Sequence, residues 1–404
     1  MSWSEIEFEN LYQVPSKNGL TRPARVRGSG CKMINMGELF ANDRIGDIEM
    51  ELVPMNDKEL DTMLVEEGDL LFARQSLVLA GAGKCSIVKN IEEPTTFESH
   101  IIRVRLNRKR AYPPFYYYYF KSPTCRIKSI VIQGVQAGIR GNDLKKLKVH
   151  APDLNIQVRA SEILGTYDDL IENNKRRIEL LEESARQLYK EWFVRFRFPG
   201  HEHVKIIAGV PEGWEKKTVS EALEINPKVA VESGAIITHV PMASLSESQM
   251  TVDTSKFETR TKHTSVRFES GDILFARITP CLENGKTAYV NFLRKGEVAC
   301  GSTEFIVLRG KSVSNQFAYL MAREENFRGN AIASMIGSSG RQRVQPSCFD
   351  KYIVPVPPLY LQELFDDVVE KNFDQISTLI KQCEQLNKAR DLLLPKLMSG
   401  EVVV

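Results

Sequence analysis

Seven cysteines occur in 404 residues, and no two of them stand in a C-x-x-C spacing. They are Cys31, Cys85, Cys125, Cys281, Cys300, Cys348 and Cys383. An odd number without metal-ligand spacing argues against a disulfide framework or a structural zinc site, and for a reducing cytoplasm. Long apolar runs are missing too, for nothing approaches the roughly 20 consecutive apolar residues of a membrane helix. The opening MSWSEIEFEN is polar and acidic, unlike an export signal. Charge of one sign is also lacking: 54 Lys and Arg stand against 52 Asp and Glu, a net charge of +2. The composition as a whole therefore announces neither nucleic-acid nor membrane binding. At 42% hydrophobic and 26% charged it is that of a globular chain, long enough for two or three domains.

Catalytic signatures are missing as well. GAGKCS (81–86) resembles a phosphate loop, but that pattern needs Gly where Val78 stands and Ser or Thr where Cys85 stands. Its twin NGKT (284–287) has Pro280 at the first glycine position. YPPF (112–115) resembles the target-base loop of amino-methyltransferases, yet Tyr112 cannot accept from an amino group there, and no G-x-G-x-x-G accompanies it. HEH (201–203) lies among Pro and Gly with no third ligand nearby and reads as a solvated linker. No G-x-S-x-G occurs. The sequence therefore assigns no catalytic residue and no metal.

What the chain does have is a long internal repeat. GDLLFAR fills residues 68–74 and GDILFAR fills 271–277. SHIIRVR (99–105) matches TEFIVLR (303–309), PFYYYYF (114–120) matches QFAYLMA (316–322), and PDLNIQ (152–157) matches PPLYLQ (357–362). The offset drifts only from about 202 to 205, which local composition cannot produce. Such a period is too long for a solenoid and marks a duplicated module with its own core. The aromatic segments suit short buried helices, so Tyr116–Tyr119 read as core.

Each P-x-L-x-x-Q opens a long helical pattern. The first apolar stripe runs through Ile163, Tyr167, Leu170, Asn174, Ile178, Leu181 and Leu188. The second runs through Ile376, Ile380, Cys383, Leu386, Leu393 and Leu397. Spacings of three and four over several heptads predict a coiled-coil seam, with Asn174 as a register-setting polar residue. The alternative is two amphipathic helices, each packed on its own module. Each helix is roughly 40 residues, about 60 Å long at 1.5 Å per residue. The second is expected to stop near PKLMSGEV, where Pro395 and Gly400 act as terminators. The expected fold class is α+β: two duplicated mixed α/β modules, each followed by a long helix, with the helices pairing as an antiparallel coiled coil of pseudo-two-fold symmetry. The boundaries read as 1–152, 153–196, 197–211, 212–357 and 358–404: module, helix, linker, module, helix with tail.

The repeated loops carry Arg, Lys, Asn and Gln, side chains that bind guanine edges, adenine edges and phosphates. In the first module the candidates are Arg74, Lys84, Arg140, Asn142, Lys145 and Lys146. In the second they are Arg277, Lys286, Arg341, Gln342, Arg343 and Gln345. Arg74 with Arg277, and Lys84 with Lys286, hold equivalent positions; their competing reading is an ion pair that holds the loop. Other basic runs, such as RVRLNRKR (103–110), read equally as solvated surface.

Taken together, these features resemble one family. Each module begins near a Trp (Trp3, and PEGW at 211–214), carries GD(I/L)LFAR and ends in P-x-L-x-x-Q before a long helix. ESARQLYKEWFVRFRFPGHE (183–202) and LLPKLMSGEV (393–402) are similar to family endings. The whole resembles the DNA-specificity subunit of Type I restriction-modification systems. The resemblance implies two target-recognition domains, each reading one half of a split, asymmetric site in double-stranded DNA, and a helix pair that sets the gap. It implies a non-catalytic chain that docks two methyltransferase subunits, for adenine methylation, and two restriction-motor subunits. S-adenosylmethionine, ATP and Mg would be bound by those partners and none by this chain, and the location would be cytoplasmic. Alternatives are a specificity subunit of another methyltransferase-nuclease system, a fused enzyme, or a coiled-coil scaffold without DNA reading.

Overall fold

The computed structural model describes residues 3–134, 136–232, 234–261, 265–338 and 340–404. The chain divides into two compact units, Met1–Ile171 with Glu384–Val404, and Glu172–Cys383. Both long helices, Leu154–Tyr189 and Leu359–Ser399, are shared between the units. Sequence periodicity had set them apart as segments of their own; in the structure each half-helix belongs to a unit's core.

The first unit holds a five-stranded sheet in the order Tyr12–Asn18, Ile101–Leu106, Leu70–Ala73, Cys85–Val88, Arg44–Ile45. A three-stranded sheet runs in the order Glu51–Val53, Cys31–Ile34, Thr95–Phe97, its strands interleaved in the chain with those of the first. The second unit has two four-stranded sheets. One runs Leu223–Ile225, Phe305–Gly310, Ile273–Ala276, Thr287–Tyr289, and the other Glu258–Arg260, Ile237–Val240, Val298–Gly301, Arg267–Glu269. One parallel pairing recurs in both units, Cys31–Ile34 with Thr95–Phe97 and Ile237–Val240 with Val298–Gly301; the first unit adds another, Arg44–Ile45 with Cys85–Val88.

The repeated GD(L/I)LFAR is a folding device. Its glycine turns the chain at φ +88° in Gly68 and +91° in Gly271, a region closed to most side chains. The next residue is a fully buried carboxylate that receives a fork of two bonds from an arginine. Arg105 donates to Asp69 at 2.8 and 2.7 Å, and Arg309 to Asp272 at 2.7 and 2.8 Å. The same carboxylates accept from the Glu66 and Glu269 main-chain N–H groups at 2.8 and 2.9 Å. The four residues after each Asp are all buried strand. The arginines are the last letters of SHIIRVR and TEFIVLR, so these two matching words of the repeat are the two halves of one ion pair built on a buried carboxylate.

P-x-L-x-x-Q is equally mechanical. Gln157 Nε2 donates to the Pro152 carbonyl and Gln362 Nε2 to the Pro357 carbonyl, both at 2.8 Å, closing the entry to each long helix. The aromatic helix Pro113–Lys121 buries Phe115 through Phe120 in the first unit's core, and Asn315–Arg323 does the same in the second.

Within each unit two half-helices run antiparallel. In the second, Asn174 Nδ2 donates to Gln382 Oε1 and Asn372 Nδ2 to the Leu181 carbonyl, both at 3.4 Å. In the first, Arg390 Nη1 donates to Asp168 Oδ1 and Tyr118 Oη to Asp168 Oδ2, both at 2.7 Å. The second unit buries an acid on the same helix: Glu182 accepts from Tyr319 Oη at 2.7 Å and from the Met250 N–H at 2.8 Å.

Two sequence expectations need correction. Ile163 and Leu170 are off the buried stripe, 37% and 45% exposed; Leu164 and Ile171 are buried in their place. The stripe there includes Ser161 and Asp168, buried polar residues that a search for apolar spacing passes over. Pro395 does not stop the second helix, which continues through it to Ser399 and ends at Gly400, at φ +76°. The remaining stripe residues Asn174, Ile178, Ile376, Cys383 and Leu397 are buried, and Tyr167, Leu181, Leu188, Ile380, Leu386 and Leu393 are half-buried. In the linker His201, Glu202 and His203 are exposed, while Phe198 is buried against Trp214 with ring centroids 5.4 Å apart.

Candidate nucleic-acid interface

Equivalent main-chain bonds place the two modules in register. The Ile139 N–H donates to the Arg74 carbonyl at 2.9 Å, as Val344 does to Arg277 at 2.8 Å. Further on, Phe8 N–H donates to the Leu147 carbonyl and Val219 N–H to the Tyr352 carbonyl, both at 2.9 Å. Between these anchors the offset is 205, so Arg140 corresponds to Gln345, Lys145 to Asp350 and Lys146 to Lys351. Just before the first anchor a hairpin closes at Ile132–Gly138 in one module and Ile336–Arg343 in the other.

The four positions that repeat face inward. Arg74 Nη1 donates to the Ser99 carbonyl at 3.4 Å, and Arg277 Nη2 to the Val344 carbonyl at 3.0 Å. Lys84 Nζ donates to the Phe40 carbonyl at 2.7 Å and pairs with Asp43 at 3.1 Å. Burial alone would raise the Asp43 carboxyl, but the Lys121 and Lys84 ammonium groups hold it below the usual range. Lys286 Nζ donates to the Met242 carbonyl at 3.4 Å. All four are half-buried, each with at least one donor bonded to a main-chain carbonyl.

The positions that differ face outward. In the first module Arg140 caps the short helix Gly141–Lys146, which carries Asn142, Lys145 and Lys146. Arg140, Asn142 and Lys146 are exposed and Lys145 half-exposed. Arg140, Asn142 and Lys145 line an open depression of about 250 Å³ with Ser16 and Asn18. Lys146 lines a neighbouring one of about 500 Å³ with Arg126, Ser129 and Lys148. Arg126 was missed by sequence reasoning, since it is a lone cation outside the basic runs; only the fold brings it to Lys146.

The second module presents another surface. Arg341 is exposed. Arg343 is forked onto Glu304, with Nε at 2.9 Å from Oε2 and Nη2 at 2.7 Å from Oε1, and this partner raises its pKa further. Gln342 bonds Thr279 Oγ1 through its main-chain N–H at 3.1 Å, and Gln345 Nε2 reaches the Arg343 carbonyl at 3.4 Å. Where the first module has Lys145, this one has Asp350, which accepts from Ser220 Oγ at 2.5 Å. The structure thus groups Arg140, Asn142, Lys145 and Lys146 on one surface; in the second module it leaves Arg341 outward and neutralises Arg343. Among the described residues no group of three or more His, Cys, Asp or Glu could hold a metal ion, and no helix is long and apolar enough to cross a membrane.

The family described as "Type I restriction modification DNA specificity domain" matches residues 11–183 and again 211–390. The chain belongs to this family. It is 23% identical over 376 residues to the specificity subunit of the type I restriction enzyme MjaIX of Methanocaldococcus jannaschii, covering 89% of this chain and 85% of the relative. Over 182 residues it is 33% identical to the EcoAI specificity subunit of Escherichia coli, 44% of this chain and 30% of that one. Its fold is similar to the crystal structure of the type I restriction-modification S subunit from M. genitalium, with a TM-score of 0.56 at 16% identity, covering 98% and 96% of the two chains. Two specificity domains, one for each compact unit, account for the repeat. As a type I specificity subunit this chain is a non-catalytic, DNA-recognition component of a restriction-modification complex.

Proposed function

We propose that this specificity subunit reads a bipartite, asymmetric site in double-stranded DNA, one half-site per module, with the gap set by the two long helices. It docks two methyltransferase and two restriction-motor subunits, which methylate adenines or cleave. S-adenosylmethionine, ATP and Mg act on those partners, in the cytoplasm. The observation that carries this reading is the split between what the modules share and what they do not. Equivalent positions that hold the fold are the same: Asp69 and Asp272, Arg105 and Arg309, Gln157 and Gln362. On the outer surface two of three equivalent positions differ in charge, Arg140 against Gln345 and Lys145 against Asp350, while Lys146 and Lys351 are alike. One scaffold carrying two unlike surfaces suits two unlike half-sites, because base readout depends on the donors and acceptors displayed. The test is co-expression with the neighbouring methyltransferase subunit and mapping of methylated adenines across the genome. A split motif with a fixed gap of unspecified bases is expected. A stable complex that leaves no split motif would withdraw the reading in favour of an assembly scaffold.

A further inference from the structure

The first module has an apolar tip that the second lacks. Leu77, Val78 and Leu79 are consecutive and 86%, 63% and 52% exposed. Large apolar side chains seldom stand together in water unless something covers them. The tip follows the short strand Gln75–Ser76, which pairs with Ala137–Gly138 of the hairpin that leads into Arg140. Ile132, at the other side of that hairpin, is 45% exposed. Lys128 Nζ fastens the tip from below, donating to the Ala80 carbonyl at 2.8 Å and the Ala82 carbonyl at 3.2 Å. In the second module the same loop is one residue shorter, 280–284 against 77–82, and turns its leucine inward, with Leu282 fully buried.

Charge decides what covers the tip. Residues 74–84 and 124–142 include Arg74, Lys84, Arg126, Lys128 and Arg140 and not one Asp or Glu. Lys84 is offset by Asp43 from elsewhere in the chain, but among the described residues Arg126, Lys128 and Arg140 form no ion pair, and the amide carbonyls that hold Lys128 leave its charge intact. An apolar point held by the Lys128 ammonium group, on segments whose cations outnumber the one acid beside them, Asp143, matches a polyanion with an apolar interior, which is the makeup of a DNA duplex: phosphates outside, stacked bases within. A protein partner would need carboxylates placed opposite those cations, whereas a duplex presents phosphate along its whole length.

We propose that Leu77–Val78–Leu79 is a wedge that enters a base step of the first module's half-site from the minor groove, opening the stack and bending the duplex, while the second module binds its half-site without one. This rests on the DNA reading proposed above. The experiment uses the full specificity subunit in complex with its methyltransferase partner. The probe is a short duplex carrying the mapped methylation motif, with 2-aminopurine placed at successive positions. Binding of the unaltered complex should raise fluorescence at one step in one half-site. Leu77→Ser with Val78→Ser and Leu79→Ser should abolish that rise and weaken binding by roughly a hundredfold, from the apolar surface no longer removed from water. The slope of log affinity against log salt on a random-sequence duplex should not change, because no phosphate contact is lost. The single Val78→Ser variant, which leaves most of the tip in place, should give a partial loss. Undiminished affinity in the triple variant overturns the wedge, as does loss of the methyltransferase subunit with DNA binding intact. If the unaltered complex shows no salt-dependent affinity for any duplex, the DNA reading itself falls, a result separable from failure of the wedge.

Discussion

Replacing Arg140, Lys145 and Lys146 together with Ala isolates the electrostatics of the first module's outward surface. None of the three has an ion-pair partner among the described residues, and all are at least half-exposed. Their removal should therefore cost little stability, within about 0.5 kcal/mol for surface substitutions. Its effect should fall on DNA. Each phosphate neutralised contributes about 0.9 to the slope of log affinity against log salt. Three such contacts amount to about 2.7, so a fourfold rise in salt that weakens the unaltered protein should weaken the variant about fortyfold less. Fluorescence anisotropy with a random-sequence duplex at several salt concentrations measures this directly. A slope equal to that of the unaltered protein would refute the reasoning, since charges facing phosphate cannot be removed without releasing fewer counterions.

Arg343→Ala should leave the slope unchanged, because Glu304 already balances that guanidinium, whereas Glu304→Ala should steepen it by about 0.9 as the arginine is released to phosphate; the same titration reads both. Asp272→Ala takes the fork from Arg309, which is 24% exposed and keeps Glu269 at 2.7 Å, and should destabilise by about 2 kcal/mol, a fall of about 6 °C in the melting temperature of its unit by calorimetry. Arg390→Met strands Asp168, whose side chain is 7% exposed and among the described residues keeps only the Tyr118 bond, and should destabilise by about 3 kcal/mol, read as a lower urea midpoint. Adding Asp168→Leu to Arg390→Met should restore most of that loss, since the penalty lies in the unpaired charge; a double variant no better than the single would refute the point.

Much of the architecture was legible in the sequence because its devices are local or repeat in fixed register. A glycine at positive φ, an aspartate beside it and an arginine at the end of a later strand must recur together to work, so the pairs Asp69–Arg105 and Asp272–Arg309 surface as matching words. Helical spacing found both long helices for the same reason. It failed at Ile163 and Leu170, where the buried face carries Ser161 and Asp168: hydropathy cannot anticipate a buried acid whose partners, Tyr118 and Arg390, are 50 and 222 residues away. The candidate interface divides along the same line. Composition marked Arg74, Lys84, Arg277 and Lys286 as readers because they repeat, and tertiary structure turned them inward onto carbonyls. It also neutralised Arg343 with Glu304 and brought Arg126 to Lys146. A residue's chemistry is written in its letter, but whether its charge faces water or another part of the chain depends on which strands meet. That is settled only when the sheet closes and every buried donor finds its acceptor.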